Sequence, residues 1–555
     1  MLLIDGFKEK ILVMSSTLTD TECKIYKIPP DQISYYSEKD KAYLTRDPRL
    51  HSFYSLPPQL DSFKEAIKIR EQFPVDRTLL IDSITLSYHG MQLSDKQAYH
   101  LDLLKESNTY TITTAHQPNL FTGPLYFVYK ICSAIRLTLE LNKAYPEHNF
   151  IPIFVSGGED HDFQEINHCY LYGNKIEWYQ DKGGPVGRLA LDNFDEVLEV
   201  FIQKIGNQKF TGKIRQMLEN ALSGSLLYKD FQFKLIHSLF KEYGLLVIDM
   251  DQKPLKAAFI PMLKEEILSR ISRKIILETQ KRLDKLGFKS QAFPRDINLF
   301  YLQTNRRDRI EYQDGKYVVL DTSISFTQEE IITELHQFPE KFSPNVVMRP
   351  LYQEALIPNL AYIGGGGEIA YWLERKDQFK HFGIPFPILI RRNSAMIINH
   401  THQLLLEKLH ITPGETLQDT DALIVQFLQN ETEFDIFLDN EKNQIDYAFE
   451  SIGNKAGQID PTLEKWIQAE KVKQLKLVDQ MESRIRRTVK QQQEIRVNQI
   501  KKIKDKLFPN NGLQERFDNF FQYFAADGPE LIDQFIQWFD PLDPGFCIII
   551  QNKHP

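Results

Sequence analysis

Cysteine is scarce in this chain: four in 555 residues. Cys23, Cys132, Cys169 and Cys547 stand far apart with no CxxC or CxxH spacing, which excludes a disulfide framework and a zinc ribbon and predicts reduced thiols. No stretch reaches the about 18 uncharged apolar residues that a membrane-spanning helix needs, so no membrane partner is expected. The first 13 residues carry Asp5, Lys8, Glu9 and Lys10 among their apolar positions. That denies them the apolar centre of a secretory signal, predicts cytoplasmic residence, and leaves Met14 as an alternative start. Positive charge is not in excess either, with 67 Lys and Arg against 75 Asp and Glu and a formal net charge of -8, so no nucleic-acid partner is expected. Neither GxGxxG nor GxxxxGK[ST] occurs, which removes the two commonest phosphate-binding fingerprints. What remains is a 42% hydrophobic, 12% aromatic, 26% charged chain: an ordered globular protein too long for one ordinary core.

Its organisation reads as α/β. Amphipathic helical patterns cover residues 62–72 and 95–104. The β-branched run Thr109-Tyr110-Thr111-Ile112-Thr113-Thr114 predicts a strand, followed by a loop, Gly123-Pro124 and a helix to Leu141. Apolar runs at 150–155 and 245–248 predict further strands, and strands separated by helices imply a parallel sheet. Residues 165–240 read as an insertion between them. Strand-like pieces at 299–302, 317–320 and 385–390 complete a mixed core over residues 1–394. From 395 to 510 glycine and proline thin out and a helical arm is expected, with residues 511–555 packing back on the core. Leu475, Val478, Met481, Ile485 and Val489, and beyond them Ile500, Ile503 and Leu507, recur at coiled-coil spacing in one long helix over 460–507, interrupted by Gln491-Gln492-Gln493. An upstream segment, 395–410, supplies the second leg of an antiparallel hairpin.

Three clusters can carry chemistry. The loop after the first strand holds His116, Gln117, Asn119, Thr122 and Gly123, where a strand's carboxyl end meets a helix start and anions are readily bound. The second strand ends in Gly158-Glu159-Asp160-His161-Asp162, able to orient an amine, hold a divalent ion or act as a base; a solvated acidic cap is the plain alternative. The third joins Arg349 to Gly364-Gly365-Gly366-Gly367-Glu368, a bidentate donor beside a glycine run that lets a ligand approach the backbone.

These clusters resemble a known family, the proposed cysteine ligases of bacillithiol biosynthesis. The matching segments are Leu120-Phe121-Thr122-Gly123-Pro124-Leu125-Tyr126, Gly158-Glu159-Asp160-His161-Asp162-Phe163, Arg349-Pro350-Leu351 and Gly364-Gly365-Gly366-Gly367-Glu368-Ile369-Ala370-Tyr371-Trp372. Leu507-Phe508-Pro509 with Gly512-Leu513-Gln514-Glu515-Arg516 matches a C-terminal signature. The likeness runs through nearly the whole chain, with two departures: many members have Gln at His116 and Pro at Gly366. It implies a Rossmann-like core with connecting insertions, related to adenylate-forming folds, and a coiled-coil domain that makes a homodimer. It also implies a ligase that adds L-cysteine to glucosaminyl-malate, with ATP activating the carboxylate and a divalent metal such as Mg assisting. In that frame Asp160, His161 and Asp162 form the expected catalytic set. The expected nucleotide- or substrate-binding set is His116, Gln117, Asn119, Thr122, Gly123, Glu159, Arg349, Gly365, Gly367 and Glu368, with no protein-held metal. A non-catalytic dimeric scaffold of the same pathway is the competing expectation. A tRNA-handling synthetase relative lacks the charge balance and signatures.

Overall fold

The computed structural model describes residues 10–15, 22–431 and 436–551, so the residues before 10, on which part of the start-site expectation rests, lie outside it. The described chain divides into two compact units. One comprises residues 28–395 and 512–547; the other contains residues up to 27, 396–511 and those from 548 on.

The first unit is built on a five-stranded, all-parallel sheet. Its strands are β1 (Thr109–His116), β2 (Asn149–Ser156), β3 (Leu246–Asp249), β4 (Asn359–Gly364) and β5 (Ile388–Arg391), in the spatial order β5-β4-β1-β2-β3. The register pairs His116 with Ser156, Thr114 with Ile363, and Gly364 with Arg391. Successive strands step away from β1 first toward β3 and then toward β5, which makes the β1/β4 boundary a topological switch point. Both faces of the sheet are covered, since β1 is buried at every position from Thr109 to Ala115. The helix α1 (Tyr126–Ala144) runs along β1 and β2 and Ser62–Glu71 lies on β4, the two sharing one face. Phe63, Ile67, Ile112, Leu137, Phe150 and Ile363 share one core cluster, each such side chain contributing about 1.5–3 kcal/mol by burial.

The sequence called β1, β2 and β3, and the 385–390 run is β5. It missed β4, which lies beside β1 near the sheet's centre. The pieces at 299–302 and 317–320 do not join the core. Leu299–Gln303 and Lys316–Val319 belong to a separate antiparallel sheet, ordered Ser325–Phe326, Lys316–Val319, Arg306–Gln313, Leu299–Gln303, Phe342–Pro344. Residues 165–240 hold the hairpin His168–Leu171 with Asn174–Glu177 and three helices, all within the β2-to-β3 connection.

In the second unit, Ala395–Ile398 is a strand, not the leg of a helical hairpin. Its Met-Ile-Ile run suits a buried strand, and it lies at one edge of a four-stranded sheet with Phe546–Ile550, Glu22–Ile28 and Lys10–Ser15. Residues 10–15 and 22–27, grouped with the core in the sequence reading, therefore pair here. The hairpin's two legs are α4 (Asp439–Gly457) and α5 (Pro461–Gln492). Lys442 bonds Asp479 and Glu482 at 2.8 Å, and Lys471 bonds Asp446 at 2.8 Å, which fixes an antiparallel pairing. The expected single helix is broken at Gln493, after which α6 (Glu494–Leu507) begins. Of the expected seam Val478, Ile500, Ile503 and Leu507 are buried, while Met481 and Ile485 are exposed.

Candidate active site

The carboxyl ends of β1, β2, β4 and β5 open on a cavity of about 570 Å³, a size that suits a small organic ligand. The helix α2 (Arg349–Leu356), the helix α3 (Gly366–Trp372) and the antiparallel sheet complete its walls. His116, Gln117, Glu159, Asp160, His161, Arg349, Gly365, Gly367 and Glu368 all line it. The three clusters read from the sequence thus meet at the switch point.

Four expected residues do not line the cavity. Asn119 stands behind His116, its Nδ2 3.0 Å from the ring Nδ1. Thr122 and Gly123 are turned inward, and both have positive φ, 68° and 60°. The helix start expected to accept an anion is already occupied. The Leu125 N–H donates to the Asp518 carbonyl, the Gly123 N–H to the Leu120 carbonyl, and the Asn519 amide donates to the carbonyls of Phe121 and Gly123 at 2.8 Å. The chain's C-terminal segment therefore closes over this loop and corrects its reading as a phosphate cradle. Asp162 is also corrected: its carboxylate caps the short helix Phe163–Ile166, accepting from the Glu165 N–H, the plain role that a turn acid fills.

The residues that do line the cavity are held by partners that define their charge. His116 Nδ1 lies 2.9 Å from the Gln117 carbonyl. Burial, with help from the Lys130 charge, pushes its pKa down to about 4, so the imidazole is neutral. Lys130, missed in the sequence reading, rises from α1 to bond the Ala115 carbonyl and, at 2.8 Å, Glu368. Burial alone would raise the Glu368 carboxyl. The Lys130 charge, His116 and the Gly365 N–H outweigh it and bring the pKa to about 2, leaving a locked carboxylate.

Around the second cluster, the backbone is laced to a neighbouring turn, with the Gly187 N–H donating to the Gly158 carbonyl at 2.8 Å. A Cβ on Gly187 would meet the Gly158 Cα at 2.8 Å, so the strands of this contact need glycine. Glu159 is ion-paired to the buried Lys256, which also meets Asp251 at 3.1 Å. Asp160 is brought to about 2: burial raises its pKa, but hydrogen bonding with His161, whose backbone N–H donates at 2.7 Å, and the Arg307 charge prevail. Arg307 Nη1 lies 3.0 Å from His161 Nδ1. A guanidinium can only donate, so Nδ1 accepts and the ring proton sits on Nε2. With Nδ1 engaged by Arg307, His161 presents Nε2 to the cavity. Arg349 reaches the Tyr371 hydroxyl at 3.0 Å and Gln353 at 3.4 Å.

Sequence reasoning also missed Arg307, Arg392 and Arg516, which line the cavity from the antiparallel sheet, the end of β5 and the C-terminal segment. Lys130 carried a signal, as a lone charge on an otherwise apolar helix face. Arg516 carried one in the C-terminal signature, which had no visible link to the core. Among the described residues no group of three His, Cys, Asp or Glu is arranged to hold a metal, and no helix is long and apolar enough to cross a membrane.

Comparison with known proteins matches two family models in tandem: Bacillithiol biosynthesis BshC, N-terminal Rossmann-like domain, over residues 28–393, and the BshC C-terminal coiled-coil domain over residues 395–551. Similar curated proteins bear the name "Putative cysteine ligase BshC". That of Flavobacterium johnsoniae is 37% identical over 529 residues, 94% of this chain and 100% of the relative. That of Flavobacterium psychrophilum is 38% identical over 532 residues, 95% and 99% of the two chains. That of Bacillus anthracis is 28% identical over 510 residues, 89% and 94%.

Proposed function

The chain belongs to the BshC family of bacillithiol biosynthesis, and from that premise we propose that its switch-point cavity joins the carboxylate of L-cysteine to the amine of glucosaminyl-malate in an ATP-dependent step. The observation that carries this reading is the convergence of Arg349, Asp160, His161 and the Gly365 to Gly367 backbone on one cavity. A scaffold without chemistry gives no reason for it.

A free carboxylate is a poor acyl donor, and ATP, when bound, supplies the leaving group that cysteine's carboxylate lacks. The chain's own residues bind and orient. Arg349 offers its fork to a carboxylate or phosphate oxygen. His161 donates from Nε2, and the Asp160 carboxylate attracts the acceptor's ammonium group into reach. Asp160 and Glu368, both near pKa 2, are weak bases. The acceptor amine therefore passes its proton to neutral His116, which at about 4 is the stronger base of the three. Mg²⁺, if used, enters on the nucleotide's phosphates, as this ion commonly does.

The reading includes a cytoplasmic homodimer formed through the arm. Leu463, Trp466, Leu477, Met481 and Ile485 of α5 are all exposed, while Ile467 and Val478 are buried. An apolar stripe of that length is a surface made for a partner helix.

Purified protein supplied with L-cysteine, glucosaminyl-malate and ATP is expected to yield the amide, read by mass spectrometry, with ATP consumed in step. Product formed equally well without ATP overturns the activation step, and no product with all three present overturns the ligase reading.

A further inference from the structure

Arg392 follows β5 and is 3% exposed. Its Nη2 donates to the Glu515 carboxylate at 2.8 Å, and its Nη1 donates to the Asn393 carbonyl at 2.9 Å and approaches the Ser394 hydroxyl at 3.3 Å. Glu515 is itself saturated, accepting from the Ser394 hydroxyl and the Ala395 N–H, both at 3.0 Å. The guanidinium is thus fixed in one orientation, yet its Nε is buried with no hydrogen-bond partner among the described residues. A charged donor left in that state has lost its hydration without compensation, so such groups rarely go unpartnered. Nε abuts Gly365, where an added Cβ would lie 3.8 Å from it, and Arg392 and Gly365 both line the cavity.

The neighbouring residue on the C-terminal segment is Arg516. It is exposed, lines the same cavity, and has no ion pair or side-chain hydrogen bond among the described residues. Between the two stands Tyr126, whose ring lies 5.2 Å from the Arg392 guanidinium carbon and whose hydroxyl feels the charge of both arginines. Both carboxylates beside this wall are paired, Glu515 with Arg392 itself and Glu368 with Lys130.

We propose that Arg392 Nε and the Arg516 guanidinium form an oxyanion subsite of the cavity, one donor buried and fixed and one exposed, that takes a carboxylate or phosphate group of a bound substrate. The subsite rests on the cavity being the place where substrates bind, not on the reaction that follows. Two sources share this chemistry: the malyl carboxylates of the acceptor and the phosphates of the nucleotide. The locked Arg392 supplies direction, and Arg516 supplies a fork that closes on the ligand after entry.

Calorimetric titration of the full chain with L-malate and, separately, with ATP tests the proposal on wild type, Arg516→Ala and Arg516→Lys. Arg516 is exposed, so the variants are expected to keep the wild-type melting temperature. The expected result is at least a tenfold rise in Kd for one or both probes in Arg516→Ala, partly restored in Arg516→Lys. A loss confined to malate identifies a carboxylate, and one confined to ATP a phosphate. Unchanged Kd values for both probes, or binding of neither probe by the wild type, overturn the subsite. Weakened binding in Arg516→Ala from a wild type that makes no amide leaves the subsite standing and removes the ligase reading; normal amide formation with unchanged binding does the reverse.

Discussion

Histidine burial gives the molecule a pH signature. His100, His116 and His237 are each pushed down to about 4 by burial, with His100 bonded to the Gly244 carbonyl at 2.6 Å. Their folded pKa values lie below the about 6.5 of an unfolded chain. Between pH 6.5 and 4 the unfolded state binds protons that the folded state refuses, so the stability they confer is complete above pH 6.5 and is lost as pH falls toward 4. Urea unfolding at pH 7.5, 5.5 and 4.5 should show a falling midpoint, and His100→Asn should flatten the decline. Parallel declines in the two proteins contradict this assignment. Of the site's residues, those at strand ends were legible because β-branched runs stop there: His116, Glu159, Asp160 and His161. Arg307, Arg392 and Arg516 were not, since what brings them to the cavity is a second sheet and a C-terminal segment far away in the chain. The functions of Thr122, Gly123 and Asp162 were misjudged for a related reason. A loop sequence gives its donors but not what covers them, and here Asp518 and Asn519 had already used the space.

Among elements, strands with alternating or β-branched composition declared themselves, whereas β4 did not. Asn359–Gly364 is buried along its whole length and runs into four glycines, and a short strand covered on both faces has no alternation to reveal it. In the arm, α5 was visible from its spacing, but its partner α4 was not. Among the α4 residues only Gly453 is fully buried, so its pairing rests on ion pairs such as Lys442 with Glu482 that leave little apolar pattern. The same economy leaves Met481 and Ile485 uncovered. The proposed dimer predicts that wild type is dimeric at micromolar concentration in light scattering and that replacing both with Glu gives a monomer with helical content retained. A double variant that remains dimeric rules out this stripe as the interface.

At the scale of the whole molecule, the two units differ in what they present: a Rossmann-like core with its own open cavity, and an arm whose apolar surface exceeds what its own hairpin covers. The C-terminal segment 512–547 belongs to the core unit although it follows the arm in the chain, and through Glu515, Arg516 and Asn519 it finishes a site begun some 400 residues earlier, at His116. The central claim is that the amide is made in this cavity. It is tested most directly by product formation in Arg349→Ala, followed by mass spectrometry under single-turnover conditions in protein shown to melt as wild type does. A fall of at least tenfold in the rate is predicted, since one interaction of this kind is worth about 1.4 kcal/mol or more; a wild-type rate would contradict the account.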